Sequence, residues 1–333
     1  MRSTTALITA LLLWCTPIAA NDARNYVLAT ASTGGTYYPV GVGIGTLVNV
    51  FLQPSQKIGL LTLNTAGSRE NIQLLEDNYA QLALVEALYG YEAWNGLGPY
   101  AEVGPQKELR AISSLWHDAE QFLTVAENVK TGTIMDLAGL QGGRLAIGAR
   151  GSGARGSNLR ILTNLGLDPD TDFELVNLDY AASVPALRRG QVAAASTPGG
   201  LPTGDVSVAF GTMGKRVRML GFTEEQAAKA DGGLGIWAPY VVPAGTYPGQ
   251  DEDINTIAQI NFLAVRADVE EEAVYQITKT IYEHLPFLNR LHRATQELSP
   301  EHALDGLPVP LHAGAARYFE EIGLTIPDRI KPQ

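Results

Sequence analysis

Apolar and polar positions along the chain alternate between two periods. Residues 26–30 form a short apolar run that predicts a strand. The run gives way to the polar, glycine-bearing segment 31–36. Behind it Val40, Ile44, Leu47, Val48 and Phe51 recur at i, i+4, i+7, i+8 and i+11, which is one face of a helix. Residues 58–63 predict a second strand. Ser68 then stands at an N-cap position ahead of Ile72, Leu75 and Tyr79 at helical spacing. Residues 81–85 predict a third strand, so the order is β-α-β-α-β.

The same order recurs downstream. Residues 144–148 predict a strand, 151–157 a glycine loop, and Leu159, Leu162 and Leu165 a helix with Gly166 at its C-terminal cap. Residues 173–178 predict a strand, 181–189 a helix closed by Gly190, and 191–196 a strand. Between the units, 109–126 is a strand-rich connection without a Pro/Ser-rich linker. After Gly233 come a strand over 256–265, a helix entered through Asp268 and Glu271 as a D-x-x-E cap, and a proline-punctuated tail around a helix at 312–322.

Two similar alternating units predict an α/β, two-lobed chain. Each lobe is expected to be a mainly parallel sheet flanked by helices, with two hinge crossings between lobes. Lobe 1 is expected over 21–118 and lobe 2 over 119–244, with 245–333 returning to lobe 1.

The first twenty residues read differently. Met1-Arg2, an apolar stretch over 6–20 and the small pair Ala19-Ala20 before Asn21-Asp22 form a secretory signal peptide pattern, too short to span a membrane. The single cysteine, Cys15, lies inside it behind Trp14, where a lipid-anchor signal needs a small residue. Past residue 20 there is no cysteine, which excludes disulfides, zinc–thiolate sites and thiol catalysis from the rest of the chain. A net charge of −11 and no basic stripe argue against nucleic acid as a partner. No apolar run reaches 18 residues, which excludes a polytopic membrane protein. The signal pattern predicts export, and a monomer is expected.

Candidate chemistry gathers at the two glycine loops. Each follows a parallel strand and opens a helix, the usual ligand edge of an open α/β sheet and a suitable place for an anion. Ser32, Thr33, Thr36 and Ser152 add hydroxyls, Gly34, Gly35 and Gly153 allow close backbone approach, and Tyr37 and Tyr38 offer flat walls. Arg155 supplies a guanidinium for a carboxylate, with Arg150 as its neighbouring competitor. The alternative is that Ser32 and Ser152 are only caps and the glycines only turns. Glu86 ends an apolar strand, near Tyr89 and Tyr91, and could accept from a ligand ammonium or hydroxyl; an exposed loop acid is the other reading.

Gly151–Gly156 also fits G-x-G-x-x-G after a strand, with Asp179 near a ribose-binding position, so an exported NAD(P)-dependent oxidoreductase is one rival. A ligand-binding sensor without a transport role is another. Lys215 lacks a P-loop context. The five histidines form no H-E-x-x-H, and no metal, cofactor or catalytic residue is expected.

The stretch Ala29–Gly41 (ATASTGGTYYPVG) closely resembles the N-terminal signature of the TAXI solute-binding proteins of TRAP transporters. So do TAGSREN at 65–71, LRAISSLW at 109–116, GARGSG at 148–153 and VPAGTYPGQ at 242–250, in order along nearly the whole chain. The resemblance implies a hinged periplasmic-binding-protein fold of type II-like design. It implies delivery of a dicarboxylate or an acidic or zwitterionic amino acid to a sodium-coupled TRAP permease. It places ligand contacts on Ser32–Tyr38, on 151–153, on 85–87 with Glu86, and on Thr197, Pro198 and Gly199. Two departures bear on the ligand: Glu86 stands where many relatives have a Gln-Ser-Asp type segment, and Ala154 where many have threonine.

Overall fold

The computed structural model describes residues 23–333, so the expected signal peptide and Cys15 lie outside the described residues. The first unit runs β1 (Arg24–Ala29), α1 (Tyr37–Phe51), a short α2 (Gln53–Gln56), β2 (Ile58–Leu63), α3 (Ser68–Glu76), β3 (Leu82–Glu86) and α4 (Ala87–Asn95). A long strand, β4 (Leu109–Ala119), leads to β5 (Phe122–Val125). The second unit is β6 (Arg144–Ala146), α5 (Gly153–Leu165), a short α6 (Pro169–Asp172), β7 (Glu174–Val176), α7 (Tyr180–Arg188), β8 (Ala194–Ser196), α8 (Gly204–Met213), β9 (Val217–Leu220) and α9 (Glu224–Asp231). The hairpin β10 (Ala238–Val242) and β11 (Ile254–Arg266) follows, then α10 (Glu271–Glu283), α11 (Leu285–Leu291) and α12 (Ala313–Glu321).

The strands form two sheets. The first is ordered β10-β11-β3-β1-β2, with β4 also paired to β11; the second is β7-β6-β8-β5-β9. Each contains a parallel trio of the same order, β2-β1-β3 and β7-β6-β8. Beside each trio lies an antiparallel strand, β11 against β3 and β5 against β8. The sheets are therefore mixed, because strands arriving from the other lobe enter running backwards.

The chain passes from the first sheet to the second over 119–121 and is back in the first sheet at β10, from which the β10–β11 hairpin leads on into β11. Both passages meet: Ala258 pairs with Ala119 and with Ala238, and the Glu120 N–H donates to the Ile257 carbonyl at 2.9 Å. The β10–β11 hairpin pairs in the first sheet while Val242, Tyr247 and Ile254 pack into the core of the second lobe. Residue 245 is thus the tip of a hairpin shared by both lobes.

Local chemistry explains most element ends. The α1 face of Val40, Ile44, Leu47 and Val48 is buried, and Gly41 and Gly45 let its backbone approach Thr30 and Thr62 on the sheet below. Phe51, expected on that face, is exposed and stacks on the His284 ring. Ser68 does not cap α3: Gly67 does, at φ 127°, and the Ser68 hydroxyl instead accepts the Glu86 N–H. Nor does Asp268 cap α10. Its carboxylate pairs with Arg266, and Glu270 takes the cap position without a side-chain bond. Gly166 ends α5 in the left-handed conformation expected of it, at φ 90°.

Candidate functional site

The carboxyl ends of β1, β2 and β3 face those of β6, β7 and β8, and a cavity of about 250 Å³ lies between them. Four helices begin on its wall: α1 at Thr36-Tyr37, α3 at Gly67-Ser68, α5 at Ser152-Gly153 and α7 at Asp179-Tyr180. The first N–H groups of a helix have no acceptor within the helix and carry its positive dipole end. Ser152 caps α5, accepting the Arg155 N–H at 3.2 Å, and Asp179 caps α7, accepting the Ala182 N–H at 2.8 Å.

Of the residues singled out in the sequence, Ser32, Gly35, Thr36, Tyr37, Glu86, Ser152, Gly153 and Pro198 line this cavity. Five do not. Thr33 is exposed, and Gly34 sits under the Asp205 carboxylate. Tyr38 is half-buried away from the cavity. Thr197 is buried, its N–H donating to the Gln121 carbonyl. Arg155 points to the outer side of α5, where its Nε donates to Asn177 Oδ1 at 2.7 Å. The reason is helical geometry: two residues on from Gly153 is about 200° around the axis. Thr36 lines the cavity but spends its hydroxyl on the Gly200 carbonyl at 3.0 Å, tying α1 to the second lobe.

Several lining residues escape the sequence reading. Asp118 lies within the strand-rich run 109–126, where alternation alone does not say which face is solvent. Tyr180 opens α7 as Tyr37 opens α1. Asn64–Ser68 complete the wall, together with Gly199, which the family resemblance had already pointed to. The segment 65–71 was legible as part of a family signature, without a role.

Glu86 is 5% exposed, with Oε2 accepting from Ser157 Oγ at 2.9 Å and Gln259 Nε2 at 3.2 Å. Asp118 is 4% exposed, with Oδ1 accepting from Asn261 Nδ2 at 3.2 Å; Asn261 in turn accepts from the Tyr37 hydroxyl. Burial pushes the Glu86 carboxyl well above the usual carboxylate range, and the Asp118 and Glu120 charges push the same way. Burial also pushes Asp118 up to about 7, and burial followed by the Asp118 charge pushes Glu120 up to about 8. Tyr37 and Tyr180 are raised by burial and by these same carboxyls, so both stay neutral phenols. Among the described residues no lysine, arginine or histidine lines the cavity. Among the described residues no His/Cys/Asp/Glu group could hold a metal ion, and no helix is long and apolar enough to cross a membrane.

The lobes touch around the cavity. Ser157 on α5 bonds both Glu86 and Gln259, and the Glu70 N–H donates to the Gly151 carbonyl at 3.1 Å. Arg160 pairs with the buried Glu92 of α4. A Cβ on Gly153 would strike the Glu86 carboxyl, and one on Gly156 the Tyr89 hydroxyl. Both glycines therefore serve the α5–α4 seam. Gly35, by contrast, has an ordinary 3.5 Å of clearance to the Tyr180 ring.

Two α/β lobes about a cavity, with chain crossings at 119–121 and at the β10–β11 hairpin, define the two-lobed fold of the periplasmic binding proteins. The chain belongs to the NMT1-like family, whose model matches residues 28–323. In fold it is similar to MatC from Rhodopseudomonas palustris, solved with bound malate, at 14% identity and a TM-score of 0.56 over 92% of this chain and 98% of that one. The periplasmic aliphatic sulphonate binding protein SsuA from Escherichia coli matches at 15% identity and a TM-score of 0.45, over 90% of this chain and 84% of that one.

Proposed function

We propose that this chain is an extracytoplasmic solute-binding protein that captures a small carboxylate solute between its lobes and delivers it to a sodium-coupled TRAP permease. The observation behind this reading is the cavity between the lobes, with helix N-termini from both lobes on its wall. A carboxylate there meets backbone N–H groups and the hydroxyls of Ser32 and Ser68 without needing an arginine, while the Ser152 hydroxyl is spent on the Ala149 carbonyl. The malate bound to MatC fits the same class of solute. The TRAP assignment rests on the in-order signatures from Ala29 to Gln250. The packing role of Gly153 and Gly156 and the capping role of Asp179 support a binding protein over the oxidoreductase alternative.

The test is a melting-shift panel of organic acids and amino acids on the purified protein. A true ligand at 100 times its Kd adds about 2.7 kcal/mol of apparent stability. Reconstitution with TRAP membrane subunits and a sodium gradient then tests delivery. Ligand capture without uptake in that system would leave a sensor.

A further inference from the structure

Two carboxyl oxygens in the cavity have no hydrogen-bond partner among the described residues. Ser157 and Gln259 both donate to Oε2 of Glu86, leaving Oε1, and Asn261 donates to Oδ1 of Asp118, leaving Oδ2. Both side chains are more than nine-tenths buried, and both line the same cavity. The rings of Tyr37 and Tyr180 line it with them. Every basic side chain lies elsewhere, and Arg155, the nearest candidate by sequence, is held on the outer side of α5 by Asn177. Buried carboxylates without a cation are costly, and an aromatic wall beside them favours a cation over a second anion.

We infer that Glu86 and Asp118, walled by Tyr37 and Tyr180, form an ammonium subsite, so that the solute is a primary amine bearing a carboxylate rather than a dicarboxylate lacking an amine. This rests on the cleft reading above and narrows it. The solute spans the cavity: its carboxylate lies at the starts of α3 and α5, and its ammonium lies between the two acids. The opposite arrangement has Glu86 protonated and donating to a ligand carboxylate. The two differ in the sign of their pH dependence. The groups facing the subsite are Glu86, Asp118 and Glu120 from the first lobe, Asp179 and Tyr180 from α7, and Tyr37 from α1. Asp118 titrates near 7. An arriving ammonium must displace protons from these acids, so affinity rises from pH 6 to pH 8. A ligand carboxylate that needs the protonated acid loses affinity over the same range.

The experiment is calorimetry on the full mature chain with each L-amino acid beside the 2-oxo and 2-hydroxy acids of the same skeleton, plus succinate, malate and glutarate, at pH 6 and pH 8. The expected result is an amino acid bound at least tenfold tighter than its 2-oxo counterpart, with affinity rising at pH 8. Asp118→Asn and Glu86→Gln should each cut that preference about tenfold and leave 2-oxo acid binding equal or better. A 2-oxo acid or dicarboxylate that binds as tightly as the amine, or more tightly at pH 6, overturns the ammonium subsite and leaves the cleft reading standing. If no acid and no amine binds, both fall.

Discussion

Glu120 sits where the chain leaves β4 for the second sheet, with Oε1 accepting the Trp237 indole N–H at 3.0 Å and Oε2 buried without a partner. Together with Glu86 and Asp118 it makes three buried carboxyls that hold their protons to higher pH in the folded chain than in the unfolded one. Between about pH 4.5 and pH 8 the folded state therefore binds more protons, and these groups lower stability as pH rises through that window. The loss is on the order of a few kcal/mol. Glu120→Gln keeps an acceptor for Trp237 and removes one titration. Its melting temperature should fall less between pH 5 and pH 8 than that of the wild type, and a parallel pair of pH profiles would refute the assignment. Glu86 was legible in sequence because it ends an apolar strand at a sheet's carboxyl edge. Asp118 was not, because its run reads as a strand buried on both faces and the face toward the cleft depends on β11. Arg155 looked like a ligand only while the exact start of α5 was unknown.

At the scale of elements, the α5–α4 seam decides whether the lobes can close. Gly153 and Ser157 lie on one face of α5, one turn apart, and present a flat surface and a hydroxyl to Glu86. Arg160 continues the seam to Glu92, which burial pushes above the usual carboxylate range against the pull of Arg160. Arg160 is partly exposed, so its pair is discounted for solvent screening to about 1 kcal/mol, roughly a five- to tenfold change in affinity. Arg160→Ala should weaken binding by that factor without changing which solute is preferred; a change in preference would place Arg160 at the ligand. Gly156→Leu should abolish tight binding by holding Tyr89 away, with less than about 1 kcal/mol lost from folding since the seam is at a surface. Unaltered affinity in that variant would mean that closure does not bring these helices together. The alternating β and α segments were readable because buried parallel strands and amphipathic helices differ in period, and residues 58–63 coincide with β2. Helices α8 and α9 were missed: one carries glycines at both ends, the other alanines and charges without an apolar stripe.

The whole molecule is two matching sheets joined by the β4–β5 passage, the return from β9 to β10 and the β10–β11 hairpin, an arrangement that permits rotation about β4–β5 and β11. What holds the lobes together is divided between protein and solute. The protein's share includes Thr36–Gly200, Ser157–Glu86, Ser157–Gln259, Glu70–Gly151 and Arg160–Glu92. Moving such an equilibrium from 1:99 to 99:1 takes about 5.5 kcal/mol of differential binding. Two to four charge-assisted hydrogen bonds of about 1.5–3 kcal/mol each reach that figure before ordering costs. The sequence revealed the lobes through their repeated order, but not the shared β10–β11 hairpin, whose tip loop resembles an ordinary surface turn. The most direct measurement is the distance between spin labels on exposed Gln73 of α3 and exposed Lys215 beside β9, without solute and with the panel member giving the largest melting shift. A distribution that is broad or long without solute and collapses to one short distance on binding is the predicted result. Tight binding with superimposable distributions would contradict closure on a solute and leave a rigid pocket.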